Sequence, residues 1–469
     1  MDLKFLPTFL VRIKKQFGKD QYEQFLNALN QKPPVSIRVN PNKILAVNPP
    51  LKQVEWCQNG FTLNERPVFT IDPWFQAGAY YVQEAGSMFL EYILSYIYRY
   101  SFPEKVLDLC AAPGGKTTLM ASFFPDTTLI VANETIKKRA EILVDNIDRW
   151  GADNVVVTNN DPKHFSDFRG FFDFCLIDAP CSGEGLFRKE PEAIKQWNLA
   201  NTNFCAMRQR RILMDIWNSI SENGIIVYST CTYNPAENEE NLQWLASQKE
   251  IEFINIPFDE SWGIDVIDYN GVRGYLFLPH KVESEGFFIS VFRKKSEVKP
   301  FITEPFIKGK LYQIPRKLVD NTKKYTLKGN PFMTRGHIFN TTADNKLINL
   351  LGNKLNIFRY GCKIASVFRD EMKPEHSTVL SSNFNIEEWE KIELNYEQVC
   401  KFYRKDNFEI PDKEKGRYVL TWNELPIGIA NVFKNRINTS FPLEQRILMD
   451  FPKYETRILD EGFVIKKVY

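Results

Sequence analysis

From residue 105 onward, apolar runs alternate with helical patterns at the spacing of a doubly wound α/β sheet. The runs that predict strands are 105–110, 128–134, 154–159, 171–180, 224–231 and 285–294. The helical patterns begin near Lys116, cover 136–149 and about 203–221, and resume in the segment that 235–240 opens. Ligands of such sheets bind beyond the carboxyl ends of the strands. We therefore expect a mostly parallel sheet with polar motifs along one edge.

The first of these motifs, DLCAAPGGKTT (108–118), lies at a strand-to-helix turn. Gly114 and Gly115 allow a ligand to approach the backbone, and the helix N-terminus that follows favours negative groups. A phosphate-binding loop of the G-x-x-x-x-G-K-[ST] type would need glycine where this chain has Cys110. That difference argues against a nucleotide triphosphatase.

Two acidic residues follow at the next strand ends. Glu134 lies roughly 20 residues past the glycine turn and suits a ribose diol, and Asp161 can accept from an adenine amino group. Each acid taken singly is more simply a solvated strand-end residue. The ordered set, without a tight phosphate cradle, favours S-adenosylmethionine over NAD or ATP.

Cysteines close the fourth and fifth strands, in DAPCSGEG (178–185) and STCTYNPAENE (229–239). The chain has eight cysteines and four histidines, and no CxxC pair, so neither a zinc site nor a disulfide framework is expected. Buried strand-end cysteines are inert in most proteins. Adjacent strand ends, however, would bring Cys181 and Cys231 to one bound base.

A thiolate beside a cofactor suits methylation of cytosine. Addition of sulfur to carbon 6 makes carbon 5 enamine-like, carbon 5 takes the methyl group, a base removes the proton from carbon 5, and the thiolate leaves. This chemistry needs a reactive thiolate, a group at the ring nitrogen and a base. Asp178 suits the role at the ring, either protonated or accepting a hydrogen bond from the exocyclic amine. A second thiol suits the role of the base.

Charge is distributed unevenly over the 469 residues. The net charge is about +5 over residues 1–60, about −10 over 61–300 and about +7 over 301–469. The basic flanks are either RNA-binding or merely solvated surfaces. No apolar run reaches the roughly 18–20 residues of a membrane helix, and the first residues lack the regions of a signal peptide. We expect a cytoplasmic protein.

The pattern divides the chain into four parts. We expect an N-terminal helical or α+β region (1–100), a catalytic α/β domain (101–295), a linker (296–312) and a C-terminal α+β or β-barrel region (313–469). Short strands are predicted in the first and last parts, including 36–39. Helices are predicted at 88–98 and 386–403.

The motifs resemble the Sun/Fmu family of RNA cytosine-5 methyltransferases over about residues 5–295. The matching segments are RVNPNK (38–43), YYVQEAGSMF (80–89), LDLCAAPGGKTT, ANE (132–134), NND (159–161), DAPCSGEGLFRKEP, YSTCTYNPAENE and GYLFLPHKVESEGFFISVFRK. The family often has serine where this chain has Gly86. The paired PC and TC motifs are highly specific for this family.

The resemblance implies a Rossmann-like class I methyltransferase sheet that binds S-adenosylmethionine and no metal. It implies that Cys231 is the nucleophile, that Cys181 promotes breakdown of the adduct, and that Asp178 and Lys116 contact the cytosine. The implied cofactor site comprises Cys110, Ala111, Ala112, Pro113, Gly114, Gly115, Lys116, Glu134, Asp161 and Asp178.

The segment 417–442 and KPEHST (373–378) resemble the PUA-like RNA-binding end of RsmF-type 16S rRNA methyltransferases, which places such a module at about 405–469. Lys434, Asn435 and Arg436 would then contact the RNA backbone, with Arg38 from the N-terminal region. The usual K-N-x-x-P segment is altered here to NRINTSFP, so the RNA contacts would differ in detail.

The resemblance favours a 16S rRNA cytosine-5 methyltransferase that acts as a monomer on rRNA or on the small ribosomal subunit. A tRNA methyltransferase of the same family is the second interpretation. A catalytically silent RNA-binding assembly factor is the third, but it predicts loss of Cys231 or of the glycine turn, and both are present. The sequence leaves open which cytosine is modified.

Overall fold

The computed structural model describes residues 5–47, 51–299, 311–369, 371–411, 413–433, 436–451 and 463–465. Most of the predicted linker (300–310) lies outside these residues, as do Lys434 and Asn435. No helix of the described segments combines the length and apolar character needed to cross a membrane.

The N-terminal part is a long helix followed by a small antiparallel sheet of strand order β3-β4-β1-β5. Its elements are α1 (Pro7–Leu29), β1 (Val35–Val39), β2 (Ile44–Val47), β3 (Lys52–Gln53), β4 (Gly60–Leu63), α2 (Pro73–Gln76), β5 (Tyr80–Val82) and α3 (Phe89–Ile97). Gly18, with φ of 78°, interrupts α1, since its left-handed conformation does not continue a helix. Phe9 and Phe25, on either side of the break, are both buried in the core of the next part.

The middle part supplies most of one large sheet. Its elements are β6 (Lys105–Asp108), α4 (Gly115–Phe123), β7 (Leu129–Asn133), α5 (Lys137–Trp150), β8 (Val155–Thr158), β9 (Phe172–Asp178), α6 (Pro191–Gln196), α7 (Leu199–Ile216), β10 (Ile220–Thr230), α8 (Glu239–Gln248), β11 (Ile251–Phe253), β12 (Asp265–Tyr269), β13 (Val272–Phe277) and β14 (Phe287–Lys294). Every strand and helix expected here from the sequence is present, with ends shifted by a few residues.

The C-terminal part contains two four-stranded sheets, β15-β16-β18-β19 and β20-β21-β22-β23. Its elements are α9 (Arg316–Thr322), β15 (Phe332–Thr334), β16 (His337–Asn340), α10 (Asn345–Lys354), β17 (Ile357–Tyr360), β18 (Cys362–Phe368), β19 (Glu371–Pro374), α11 (His376–Leu380), β20 (Lys391–Glu393), α12 (Tyr396–Arg404), β21 (Gly416–Trp422), β22 (Leu425–Phe433), β23 (Arg436–Thr439) and β24 (Phe463–Ile465). The single helix predicted over 386–403 is wrong, because β20 separates a short 3-10 turn from α12.

The large sheet has the order β12-β13-β14-β10-β9-β6-β7-β8-β17, with β11 beside β14. Only the five central strands, β10 to β8 in this order, run parallel. The predicted α/β fold is therefore confirmed, but as a mixed sheet with antiparallel edges.

The strand β17 joins the edge of this sheet by pairing antiparallel with β8. It comes from beyond the predicted linker. Leu351 and Ile357 of this C-terminal segment are buried in the same core as Leu129 and Val131 of the central strands. The C-terminal part thus completes the sheet, and the domain boundaries proposed from the sequence do not separate independent cores.

Candidate active site

The loop between β6 and α4 is fixed by the neighbouring strand and helix. The N–H of Ala111 donates to the carbonyl of Asn133 at 2.8 Å. Arg139 and Asn146, both on α5, donate to the carbonyls of Ala112 and Pro113, each at 2.8 Å. Gly114 lies immediately before α4 with φ of 116°, a conformation that residues other than glycine rarely adopt. The backbone of the predicted cofactor loop is therefore held rigidly open at the carboxyl end of β6.

Asp108, the last residue of β6, lies beneath this loop. Its Oδ2 accepts from the Thr117 hydroxyl at 2.6 Å, whereas its Oδ1 is buried without a hydrogen-bond partner among the described residues. Burial raises the pKa of Asp108 to about 7. A buried carboxylate oxygen without a donor fits a ligand that brings an ammonium or hydroxyl group.

A cavity of about 150 Å³ opens beside the loop. One wall consists of predicted cofactor and catalytic residues and the other of Tyr81, Gln83 and Glu84 from the N-terminal part. A side chain at Gly115 would place its Cβ 3.3 Å from the Tyr81 ring. The absence of a side chain at Gly115 therefore keeps this wall of the cavity open.

Two of the acids predicted for the cofactor, Glu134 and Asp161, lie at neighbouring strand ends along the same edge. Glu134 is buried, and its carboxylate accepts from the Ile136 N–H at 2.8 Å and pairs with Arg139 at 3.2 Å. Asp161 accepts from the Lys163 N–H at 3.1 Å and lies 3.4 Å from the Arg211 guanidinium. Each side chain is thus held in place at its strand end.

The sulfur atoms of Cys181 and Cys231 lie 3.1 Å apart. The two residues follow the ends of β9 and β10, which are parallel neighbours in the sheet. The pKa of the Cys181 thiol is raised by its hydrogen bond with Cys231, by burial and by the nearby Glu237 carboxylate. Either thiol can donate the hydrogen bond that joins the two sulfur atoms.

Asp178 and Lys116 form an ion pair at 2.7 Å, close to the cysteines. Burial by itself lowers the pKa of Lys116, but the charges of Asp178, Asp108 and Cys231 outweigh it and raise the pKa. The second oxygen of Asp178 accepts from the Ser229 hydroxyl at 2.7 Å. Both oxygens of Asp178 thus accept a hydrogen bond from a neighbouring side chain.

Glu237 holds the loop that contains Cys181 and Ser182, which we call the Cys181 loop. The sequence analysis did not predict Glu237 as a residue of the site. Its buried carboxylate accepts from the N–H of Ser182 at 2.8 Å, from the Ser182 hydroxyl at 2.5 Å and from Gln209 at 3.1 Å. Burial raises the pKa of Glu237 to about 7. The sequence signal was its position, six residues after Cys231, in a segment interpreted only as the start of a helix.

The RNA contact predicted for Arg38 is wrong in this structure. Arg38 is 1% exposed, and its guanidinium donates to Gln83 at 2.8 Å and to Thr118 at 2.6 Å, while lying 4.4 Å from the Trp150 ring. Its partners bury it between the N-terminal sheet and α4. Arg436 begins β23, and its backbone pairs with Phe433. The described part of the chain holds no cluster of His, Cys, Asp or Glu arranged for a metal ion.

Three family models match the chain. Residues 99–293 match the model described as 16S rRNA methyltransferase RsmB/F, residues 6–85 match the N-terminal domain of 16S rRNA methyltransferase RsmF, and residues 390–447 match the methyltransferase RsmF PUA domain. The last match begins before the predicted module, at β20.

Curated relatives match along most of their length. The ribosomal RNA small subunit methyltransferase F of Citrobacter koseri is 29% identical over 466 residues, covering 94% of this chain and 96% of the relative. That of Psychromonas ingrahamii is 31% identical over 416 residues, covering 84% and 85%.

Among solved structures, a methyltransferase homolog protein from Pyrococcus horikoshii is 26% identical, with a TM-score of 0.50 over 62% of this chain and all of its own. NSun6 from the same organism, solved with SFG, has a TM-score of 0.54 at 19% identity and covers 63% of this chain and 100% of its own. The second likeness supports the fold.

Proposed function

Because the chain belongs to the family of ribosomal RNA small subunit methyltransferase F, we propose that it methylates carbon 5 of a cytosine in 16S rRNA. It is an S-adenosylmethionine-dependent RNA methyltransferase. The observation that carries the cytosine-5 assignment is the pair of thiols 3.1 Å apart beside the Asp178–Lys116 ion pair. Nitrogen and oxygen acceptors in RNA have lone pairs of their own and do not require a sulfur nucleophile.

In the proposed reaction, the Cys231 thiolate adds to carbon 6 of the cytosine and forms a carbon–sulfur bond. Asp178 accepts from the exocyclic amine, and Lys116 supplies positive charge and a proton donor beside the ring. S-adenosylmethionine, when bound, supplies the methyl group that carbon 5 takes up. The proton on carbon 5 is then removed, the electrons of that bond restore the ring double bond, and the Cys231 thiolate leaves.

Cys181 is placed to take part in this release. Its thiol lies within hydrogen-bond distance of the Cys231 sulfur and therefore next to the carbon atoms of any adduct formed there. Once deprotonated, it would serve as the base for the carbon-5 proton, directly or through one water. Without Cys181, the adduct should form and persist.

The residues around the β6–α4 loop suit S-adenosylmethionine. Asp108, with its open Oδ1, lines the cavity together with residues 110–113, 115 and 116. In the proposed site, Glu134 would bind the ribose diol and Asp161 the adenine edge. Asp108 was not among the cofactor residues predicted from the sequence. We assign it to the same site.

The terminal parts would hold the RNA. A match to an RsmF PUA domain supports rRNA over tRNA as the substrate, and the net charge of about +7 over 301–469 suits RNA phosphates. We propose action as a monomer in the cytoplasm, on rRNA or on the small subunit.

Bisulfite sequencing of total RNA from cells with and without the gene tests this function. One cytosine or more of 16S rRNA should lose its protection when the gene is deleted and regain it with the wild-type gene, but not with Cys231→Ala. The proposal fails if no 16S rRNA cytosine changes.

The roles of the two cysteines are tested with purified protein. Cys181→Ala mixed with S-adenosylmethionine and 16S rRNA from the deletion strain should give a covalent protein–RNA band that survives denaturation. Cys231→Ala should give none. A band formed by Cys231→Ala would exchange the two roles.

A further inference from the structure

The helix α7 exposes two large apolar side chains and an arginine on one face. Phe204 is 65% exposed and Met207 is 71% exposed. Arg208 is exposed as well. The three residues are spaced three and four positions apart from Phe204, so their side chains are neighbours on the helix. We refer to Phe204, Met207 and Arg208 as the α7 surface.

The α7 surface borders the candidate active site. Gln209, the next residue, donates to the carbonyl of Pro180 at 3.0 Å and to Glu237 at 3.1 Å, which ties α7 to the Cys181 loop. About one turn after Met207 and Arg208, Arg211 lies 3.4 Å from Asp161 at the proposed adenine edge. The helix therefore runs along the rim of the site from the cysteines to the cofactor.

Cys205, which follows Phe204 in the sequence, lies close to groups of the candidate active site. The pKa of its thiol is raised to about 11, first by burial and then by the Glu237 carboxylate, and it is also affected by the charges of Arg208 and Cys231. Arg208 acts in the same way on Cys110 of the cofactor loop. Arg208 and Cys231 thus both lie within electrostatic range of Cys205, and Arg208 also lies within range of Cys110 in the cofactor loop.

The charge of Arg208 is not neutralised. Arg211 pairs with Asp161 and, at 3.7 Å, with Asp215. Arg208, in contrast, makes no ion pair with any residue in the described ranges. Its guanidinium keeps all five donors for a ligand, and a phosphate group matches their geometry.

Single exposed apolar side chains are common on protein surfaces and need no explanation. A phenylalanine next to a methionine and an unpaired arginine, at the rim of a site for an RNA base, is a different case. Aromatic rings stack on bases, and arginines hold phosphates, in sites for single-stranded nucleic acid. A nucleic-acid strand accounts for both the exposed ring and the unpaired guanidinium.

We propose that the α7 surface binds the RNA strand next to the target cytosine, with Phe204 stacked on a flanking base and Arg208 bound to a flanking phosphate. This proposal rests on the proposed function, since it assumes an RNA substrate. It makes Phe204 and Arg208 positioning residues that hold the RNA strand beside the target cytosine.

The test compares Phe204→Ala and Arg208→Gln with two control variants. Tyr100→Ala removes another exposed aromatic ring, and Arg169→Gln removes another exposed arginine. Both controls precede strands β6 and β9 and so lie at the amino ends of the strands, away from the site. All four proteins are assayed for methyl transfer to 16S rRNA purified from the deletion strain.

Phe204→Ala should raise KM for the RNA about 10-fold and leave KM for S-adenosylmethionine unchanged. Phe204→Trp should keep the KM for the RNA at the wild-type value, because tryptophan also stacks on bases. Arg208→Gln should weaken RNA binding and lower the slope of log Kd against log salt by about 0.7, the value for one phosphate contact on a single strand. The control variants should match the wild type.

The outcomes separate the two proposals. If the wild type transfers no methyl group to this RNA, the proposed function fails. If the wild type is active but KM and the salt slope of both variants equal those of the controls, the α7 surface does not bind RNA. A change in sedimentation of Phe204→Ala without any change in RNA binding would assign the surface to a protein contact and would also overturn the proposal.

Discussion

Replacing Arg359 with glutamine should loosen the edge of the catalytic sheet where β17 joins β8. Arg359 is 3% exposed, and its Nε donates to Asp148 on α5 at 2.7 Å. Its Nη1 donates to the carbonyl of Val155 on β8 at 2.8 Å. One side chain from the C-terminal part thus connects a strand and a helix of the catalytic part.

The size of the effect follows from the exposure of the two partners. Removing one member of a fully buried ion pair costs about 3–5 kcal/mol, because the other charge stays buried. Asp148 is 24% exposed, so water partly replaces the guanidinium. We therefore expect a loss of about 2–3 kcal/mol in the free energy of opening this edge, which corresponds to a factor of about 30–150.

Hydrogen exchange of peptides that cover β8 and β17 measures this opening directly. Exchange in Arg359→Gln should accelerate by that factor in these two strands and not in α12. The control is Lys354→Gln, which breaks an exposed pair with Asp167 at 3.0 Å and should change exchange less than about 5-fold. Exchange in Arg359→Gln within 5-fold of the wild type would refute the reasoning.

Three further predictions concern pH and backbone space. Burial raises the pKa of Asp153 to about 6 from 3.8, so the native state holds this proton more tightly. The free energy of unfolding of the wild type should therefore fall by about 2 kcal/mol, relative to that of Asp153→Asn, as pH rises from about 4 to 6 in urea titrations. Glu237→Gln resembles the protonated carboxyl. It should lower kcat about 10-fold above pH 7, and the ratio of wild-type to variant kcat should approach one as pH falls below the pKa of about 7; a ratio constant with pH would contradict this. Gly185→Ala should abolish methyl transfer, because a Cβ there would lie 2.2 Å from the carbonyl of Gly286; Gly86→Ala meets nothing closer than 3.2 Å and should keep wild-type activity.

The central strands could be predicted from the sequence because their signal is local. Strands such as β7 are buried along their whole length, so in the sequence they are continuous apolar runs between turn residues. The strand β17 has four residues and pairs with a strand about 200 positions earlier in the sequence. No local sequence pattern reveals a pairing between segments so far apart. The predicted boundary at the linker therefore separated β17 from the sheet to which it belongs.

The helix wrongly extended over 386–403 shows a different failure. Apolar residues at 392, 394, 399 and 402 fit a helical spacing and a short strand followed by a helix equally well. The deciding signal was the start of α12, where Asn395 and Gln398 form a capping box. A capping box marks the first residue of a helix, so the residues before Asn395 cannot belong to the same helix.

Burial of charged residues was beyond prediction, since it depends on partners that come from distant segments. Arg38 looked like a basic RNA ligand, yet it joins Gln83 of the N-terminal part to Thr118 on α4, the helix that opens at the cofactor loop. Burial lowers the pKa of Arg38 to about 10, which still leaves the guanidinium charged at neutral pH. Separating the N-terminal sheet from α4 would break the hydrogen bonds of Arg38 to Gln83 and Thr118. Arg38 therefore joins the wall of the cavity that carries Gln83 to the helix that follows the cofactor loop, a contact between segments about 80 residues apart that no local sequence pattern reveals.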